Sequence, residues 1–161
     1  MKRFLLKIRS AVLVMLNHKV ALPLLKFIRK PNVFTYSREE LGNLPAGSLG
    51  NDLYLFLEKR KLPLLKHYAR HDLKHVLLNY DTTDEGEAML QYFMLGNGRV
   101  SFPVLATVIY SMLTMPEYWK RMVSAFRQGQ RSISIHNWQW NEVVKEQTIQ
   151  LRNKIFDHSI K

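Results

Sequence analysis

Apolar residues recur along most of the chain at intervals of three and four, a spacing that places them on one face of an α-helix. The clearest stripes lie in the segments Leu53–Leu57, Leu64–Val76, Phe102–Met112, Trp119–Phe126 and Trp138–Asp157. Residues 132–135 alternate between polar and apolar, but a single short strand cannot form a sheet. The pattern therefore predicts an all-α fold, a single compact multi-helix domain with about seven helices.

Capping residues indicate where two of these helices begin. Ser37 and Glu40 have the spacing of a capping box, in which each side chain bonds the backbone N–H of the other residue. Residues 82–85 carry the same signature and predict a helix that begins near Thr83. His71, Asp72 and His75 lie between these two helix starts, and Glu87 lies shortly after the second.

Proline positions and apolar runs predict three further helices. Pro63 suits the first turn of a helix that continues to about Asn79, with Leu65 on its buried side. The nearly all-apolar segment Phe102–Met112 is expected to be a central buried helix. Trp138–Asp157 is expected to form one terminal helix.

Residues 1–30 form a basic segment with helical amphipathic periodicity. Its longest uninterrupted apolar run, residues 11–16, is too short to span a bilayer. A basic amphipathic helix suits the plane of an anionic membrane surface, although the same face can also complete the domain core. We therefore predict a membrane-proximal helix over residues 1–30 and an all-α metal-binding domain over 31–161, together one structural unit. The apolar face consists of Phe4, Leu5, Ile8, Ala11, Val12, Met15 and Leu16.

The formal net charge of +11 belongs mostly to this N-terminal segment. Residues 1–38 hold nine Lys and Arg and no acid, whereas the remainder holds fifteen basic and thirteen acidic residues. Because the charge lies on one apolar-faced helix beside a nearly neutral body, nucleic-acid binding is not expected. The chain has no cysteine, which excludes disulfides, thiolate metal sites and a cysteine nucleophile.

A group of histidines and carboxylates is the candidate functional site. His71 and His75 are four residues apart, so one helix face can direct both imidazoles to one point, with Asp72 at the edge of the same arc. Glu87 falls on the following helix, and the neighbouring Gly86 allows a close approach of backbone. Two imidazoles and two carboxylates suit a divalent ion such as zinc. Histidines four apart also occur on solvated helix faces, so residue types alone leave both interpretations open.

Written as His-Asp-x-x-His, eleven residues, Glu, this pattern resembles the signature of the coenzyme Q biosynthesis protein 4 family. The segment Leu44–Gly50 is similar to a Leu-Pro-x-x-Ser/Thr-Leu-Gly segment of that family, and Leu151-Arg152 to a step in its terminal helix. The resemblance covers about residues 44–156. HD phosphohydrolases share only the His-Asp pair and offer no reason for Glu87.

The resemblance implies a metal-dependent role in ubiquinone biosynthesis. The family is linked to oxidative decarboxylation, in which the ring carboxylate of a prenylated 4-hydroxybenzoate-type precursor is replaced by hydroxyl. Zinc is then the expected cofactor, with His71, Asp72, His75 and Glu87 as its ligands and as the catalytic residues. The alternative is a non-catalytic prenyl-lipid-binding or scaffold protein that organises a quinone-biosynthesis complex.

Partners and location follow from the same resemblance. The expected partners are a prenylated aromatic or quinone-type lipid, a membrane surface bound through residues 1–30, proteins of a biosynthetic complex and a second copy of the chain. The sequence lacks the Ser-rich, acid-poor extension of a mitochondrial presequence. We therefore expect a peripheral protein on the cytoplasmic side of a bacterial membrane, or on the matrix side of the mitochondrial inner membrane in a eukaryote.

Overall fold

The computed structural model describes residues 34–157, and this part of the chain contains eight α-helices, one 3-10 helix and no strand. The prediction of an all-α fold is therefore confirmed. The predicted helix over residues 1–30 lies outside the described residues, so the domain boundary near residue 30 stays a prediction. The α-helices are α1 (Arg38–Gly42), α2 (Leu49–Arg60), α3 (Ala69–Leu78), α4 (Asp84–Gly96), α5 (Phe102–Thr114), α6 (Trp119–Arg131), α7 (Trp140–Val143) and α8 (Thr148–Phe156).

The helices divide into two compact units. One unit contains residues 34–80 and 131–157, and therefore α1 to α3 with α7 and α8. The other contains residues 81–130, and therefore α4 to α6 with the 3-10 helix Pro116–Tyr118. No helix in the described range is both long and apolar enough to cross a bilayer.

In the first unit, the predicted capping box at the start of α1 is present. The Glu40 N–H donates to Ser37 Oγ at 3.2 Å, and the Ser37 N–H donates to the Glu40 carboxylate at 2.6 Å. Helix α2 follows with Ser48 as its N-cap, and Leu53 and Leu57 on its inner face are fully buried. These two starts show capping chemistry defining helix boundaries locally.

Helix α3 begins at Ala69, later than the start predicted from Pro63. The preceding Leu62 and Leu65 are 39% and 46% exposed, so the prediction that Leu65 is buried is wrong. Most helical stability in proteins comes from burying an apolar face, and these two side chains gain little from a helix here. Only one turn forms, in which the Leu65 carbonyl accepts from the N–H of Tyr68 and Ala69.

The predicted single terminal helix is instead two short helices, α7 and α8. The segment between them pairs with the loop that precedes α2, where Ser48 and Gln147 form an isolated antiparallel bridge. Gly50 donates its N–H to the Val144 carbonyl at 2.8 Å. These long-range bonds take up backbone groups that a continuous helix would use, which explains the interruption.

In the second unit, α4 begins at Asp84, close to the predicted start, but the N-cap is Thr83 and the predicted capping box over residues 82–85 does not form. The Thr83 hydroxyl accepts from the Gly86 N–H at 3.2 Å. A Cβ on Gly86 would overlap the carbonyl of Asp81. The glycine therefore does permit close backbone approach, but the backbone concerned is the preceding turn of the same unit.

The prediction that α5 is a buried helix is wrong. Its buried positions are Val104, Thr107 and Ser111, while its largest apolar side chains are exposed. Ser111 is accommodated because its hydroxyl donates to the Thr107 carbonyl at 2.7 Å. Small side chains on the inner face let α5 pack closely on α4, where Tyr92 donates its hydroxyl to the Val108 carbonyl at 3.3 Å.

Candidate metal centre

Helix α3 presents His71 and His75 from one face, as their spacing predicts. Their Nε2 atoms are 3.0 Å apart, and the two rings meet edge to face with centroids 4.6 Å apart. His75 is only 1% exposed, whereas His71 is half-buried. The pair thus has one ring held inside the protein and a second ring at its edge.

The backbone determines which nitrogen of His75 carries hydrogen. His75 Nδ1 lies 3.1 Å from the carbonyl oxygen of Tyr80, and a carbonyl can only accept. Nδ1 therefore donates, and the Nε2 of the neutral ring carries a lone pair directed toward His71. A metal-binding histidine is usually oriented in this way, by a hydrogen bond from its other ring nitrogen.

Asn79 positions the Tyr80 carbonyl. Asn79 ends α3 in the left-handed conformation with φ 57°, which reverses the chain direction. The Tyr80 N–H then donates to the His75 backbone carbonyl at 3.2 Å, while the Tyr80 carbonyl accepts from the His75 ring. His75 is thus bonded through both its backbone and its side chain to one residue.

Replacing Asn79 with valine is expected to lower the free energy of unfolding by about 1–2 kcal/mol, because a β-branched residue tolerates the left-handed region poorly. Glycine at this position adopts the same conformation readily, so Asn79→Gly is the matched control and is expected to stay within about 1 kcal/mol of wild type. Denaturant titration measures both. Equal stability of the two variants would contradict this account of the turn.

Aromatic rings border the histidine pair. The Tyr68 ring lies 4.4 Å from His71, and the Phe56 ring is stacked with His75 at 6.4 Å between centroids. Arg60 covers Phe56, with its guanidinium carbon 3.9 Å from the ring centre. Burial raises the pKa of the Tyr80 phenol to about 12, so this phenol remains protonated at physiological pH.

Arg152 holds the carboxyl end of the same helix. From α8 it donates Nε to the Leu77 carbonyl at 3.0 Å and an Nη2 hydrogen to the Val76 carbonyl at 2.8 Å. These carbonyls belong to the last turn of α3, where Val76 otherwise accepts only from the N–H of the C-cap Asn79, at 3.4 Å. The sequence indicated Arg152 only as part of a family motif, and it did not indicate that the Tyr80 carbonyl orients His75. The sequence signal for the Tyr80 contact is Asn79, a residue type that often ends helices.

Glu87 lies in the first turn of α4 and is half-buried. One ligand atom from each of His71, His75 and Glu87 lies within 4.8 Å of the other two. The structure therefore brings together three of the four predicted ligands in a group that could hold a metal ion. Asp72 is half-buried on α3 and is not one of these three, so its role as a ligand stays a prediction.

The donor set fits a divalent ion. Two histidines and one carboxylate form a known three-ligand zinc set that leaves one position open. Two imidazole nitrogens bound tetrahedrally to one zinc ion would lie about 3.3 Å apart, given Zn–N bonds of about 2.05 Å. The 3.0 Å between the Nε2 atoms is close to that separation.

The fold and this group of residues define an all-helical protein with a candidate metal centre. The model of the coenzyme Q (ubiquinone) biosynthesis protein Coq4 family matches residues 64–157, a stretch that contains His71, Asp72, His75 and Glu87. The chain therefore belongs to the Coq4 family, as the motif predicted, and its role lies in ubiquinone biosynthesis.

A solved structure shows the same fold. The crystal structure of a candidate ubiquinone biosynthesis protein from Nostoc punctiforme PCC 73102 is similar with a TM-score of 0.60 and 20% sequence identity. The similarity covers 94% of this chain and 81% of the Nostoc chain. No protein of curated function matches the sequence.

Proposed function

We propose that this protein is a metal-dependent oxidative decarboxylase of quinone biosynthesis. Its substrate is a prenylated 4-hydroxybenzoate-type acid, and the ring carboxyl is replaced by hydroxyl. Membership in the Coq4 family supports the pathway. The observation that carries the metal dependence is the convergence of His71, His75 and Glu87 within 4.8 Å.

The proposed reaction is a two-electron oxidation of the substrate. The aromatic acid, water and dioxygen give the phenol, carbon dioxide and hydrogen peroxide, which balances atoms and electrons. Dioxygen is thus the co-reactant that accepts the two electrons. The chain supplies no cysteine for redox chemistry, and its contribution lies in binding, charge and proton transfer.

Each candidate ligand has a separate role in the proposed reaction. His71 and His75 would hold the ion through Nε2, with His75 fixed in the required tautomer by Tyr80, and Glu87 would add a negative charge. A bound divalent ion, which we propose to be zinc, would supply Lewis acidity toward the substrate carboxylate or phenolate. A carboxylate of the set, Asp72 or Glu87, takes the proton of the ring hydroxyl, which makes the ring more electron-rich and easier to oxidise.

The surroundings of the histidines suit an aromatic acid. Phe56 and Tyr68 place aromatic rings beside His75 and His71, and an aromatic substrate can stack against such rings. The prenyl tail requires an apolar environment, which we place at a membrane surface. We therefore propose a peripheral protein on the cytoplasmic side of a bacterial membrane, with residues 1–30, other pathway proteins and a second copy of the chain as its further partners.

Metal analysis of the purified full-length protein tests this proposal. Wild type is expected to hold about one divalent ion per chain, as in sites of this ligand set. His71→Ala and His75→Ala are each expected to weaken metal binding by at least about 100-fold, because loss of a ligand costs more than loss of its supporting contact. His67→Ala removes an exposed histidine outside the group and is expected to retain the ion.

Melting curves and turnover on the same samples separate the two functions. Loss of metal and of carbon dioxide release, with a nearly unchanged melting temperature, supports the enzyme. Loss of metal together with collapse of the fold, and no turnover by wild type, would instead support the scaffold. Wild type prepared without chelators that contains no metal, or metal-free protein with full turnover, would overturn the metal dependence.

A further inference from the structure

Gln91 on α4 is a buried polar residue whose side chain has no partner in the part of the chain that the structure describes. It is 8% exposed and lies among Leu90, Phe93 and Met94, which are fully buried. Its amide offers two donor hydrogens and an acceptor oxygen. Between residues 34 and 157, no hydrogen bond or ion pair involves this amide.

Buried polar side chains elsewhere in the described range are hydrogen-bonded within the protein. Examples are those of His75, Asn97, Ser111 and Thr148. A buried amide that stays unbonded destabilises a protein, because it gives up its bonds to water and receives none in return. A methionine of similar length would avoid that loss. Glutamine at position 91 therefore indicates a hydrogen-bonding partner that the described residues do not supply.

The position of Gln91 on α4 relates it to the candidate metal centre. Gln91 follows Glu87 by four residues, so the two share one helix face with their Cβ atoms about 5–6 Å apart. Long side chains in helices point back toward the preceding turn, which directs the Gln91 amide over the turn that holds Glu87. Glu87 is the candidate ligand that α4 contributes to the group with His71 and His75.

The proposed substrate requires a second polar contact at about this distance. A 4-hydroxybenzoate-type ring carries its carboxylate and its hydroxyl at opposite ends, so a single ion cannot bind both. The end of the ring away from the ion would otherwise bring an oxygen group into an apolar environment without a partner. The Gln91 amide can donate to a carboxylate or phenolate oxygen and can accept from a hydroxyl, so it suits either end.

We propose that the Gln91 amide binds the oxygen substituent at the end of the aromatic substrate opposite to the metal ion. This inference rests on the proposed function, from which it takes the class of substrate. Gln91 is then a substrate-binding residue and not a metal ligand, because zinc sites in proteins use His, Cys, Asp and Glu. A site that hydrogen-bonds a substrate group rejects analogues that lack this group, so Gln91 contributes to specificity.

Ligand binding in the absence of dioxygen tests the proposal, because the oxidation then cannot proceed. The probe is 4-hydroxy-3-prenylbenzoate, titrated into the full-length protein as purified. Gln91→Met keeps the length of the side chain and removes the amide, and it is expected to weaken binding of this acid at least about tenfold. Gln150→Met replaces an exposed glutamine on α8, and this matched control is expected to bind like wild type.

Two deletion analogues identify the end of the ring that Gln91 contacts. 3-Prenylbenzoate lacks the hydroxyl, and 2-prenylphenol lacks the carboxylate. The analogue without the contacted group is expected to bind wild type and Gln91→Met about equally, whereas the other analogue still binds the variant more weakly. This difference between the analogues is a readout that a purely structural role of Gln91 would not produce.

Thermal melting without ligand gives an independent readout. Methionine removes a buried amide that has no partner among the described residues, so Gln91→Met is expected to have a Tm at or above that of wild type. A glutamine that supports the fold, directly or through a bound water, would instead give a lower Tm on substitution. The expected result is therefore lower affinity for the acid without lower stability.

Two results would each overturn the inference. One is equal affinity of wild type and Gln91→Met for the acid. The other is equal weakening of the acid and both analogues together with a lower Tm, which would assign Gln91 a structural role. Failure of the proposed function is recognised separately. Wild type without metal or turnover that still binds the acid through Gln91 would contradict the enzyme and keep the amide contact, whereas wild type that binds no aromatic acid would contradict both.

Discussion

Replacing Gly129 with alanine is expected to lower the free energy of unfolding by about 3 kcal/mol, the upper end of the usual cost of overpacking. Gly129 lies on α6 where this helix crosses α4, and a Cβ added there would overlap the Phe93 carbonyl. Gly96 on α4 makes the reciprocal contact with the Phe126 carbonyl of α6. Backbone atoms, not flexible side chains, would have to move.

The crossing also positions a buried hydrogen bond. Asn97 is 5% exposed, and its side-chain amide donates to the Gly129 carbonyl at 3.2 Å. Moving the helices apart would lengthen this bond and leave a buried polar group poorly satisfied. The steric overlap and the weakened hydrogen bond are therefore both expected to lower the free energy of unfolding.

Equilibrium unfolding in denaturant measures this prediction. Glycine to alanine in the middle of a helix ordinarily stabilises by about 1 kcal/mol, so a loss of stability at Gly129 identifies the close helix crossing as its cause. Ser124→Ala, at an exposed position of the same helix, is the control and is expected to stay within about 0.5 kcal/mol of wild type. A Gly129→Ala protein as stable as wild type would show that α4 and α6 do not approach at these glycines.

Replacing Arg152 with alanine is expected to lower the free energy of unfolding by a similar amount, about 3 kcal/mol. Two hydrogen bonds from the guanidinium to the carbonyls of Val76 and Leu77 are lost, and each bond to a charged group contributes about 1.5–3 kcal/mol. The loss is smaller than the sum of the two bonds, because alanine does not pay the conformational entropy that ordering the arginine side chain costs. The carboxyl end of α3 then loses the cation that satisfies its last carbonyls.

This loss is expected to reach the metal site. His75 directly precedes Val76, so a frayed end of α3 releases the backbone that positions the His75 ring. We expect metal affinity to fall about tenfold, the size typical of losing a supporting contact. Arg152→Lys keeps the charge but not the forked geometry, and its stability and metal affinity are expected to lie between those of wild type and Arg152→Ala.

Asn153→Ala, an exposed neighbour on α8, serves as the control and is expected to leave both quantities nearly unchanged. Denaturant unfolding and a competitive metal titration are measured on each protein. An Arg152→Ala variant that loses stability but keeps the metal affinity of wild type would limit Arg152 to a structural role. Unchanged stability would contradict the capping role itself.

The predictions that succeeded rest on interactions within one or two helical turns. Ser37 and Thr83 cap their helices because a side-chain oxygen reaches an N–H only three residues away. His71 and His75 meet because residues four apart lie on one face of any α-helix. Such relations depend on chain spacing alone, so a single sequence was enough to find them.

The predictions that failed depend on long-range packing. Phe102–Met112 was expected to be buried because it is apolar, yet α5 buries small polar residues against α4 and exposes its large apolar ones. The terminal helix was expected to be continuous, yet pairing between Ser48 and Gln147 interrupts it. In both cases the deciding partner is distant in sequence, and local hydrophobicity carries no information about it.

The sequence by itself determined the all-α class, the starts of α1 and α4, the spacing of the histidine pair and membership in the Coq4 family. Tertiary structure determined how His75 presents its lone pair, through the Tyr80 carbonyl, and how α3 is held at its end by Arg152. It also determined that α5 turns its apolar face outward. The physical reason is that helix formation and side-chain spacing are local, whereas orientation and burial depend on groups brought together only when the chain folds.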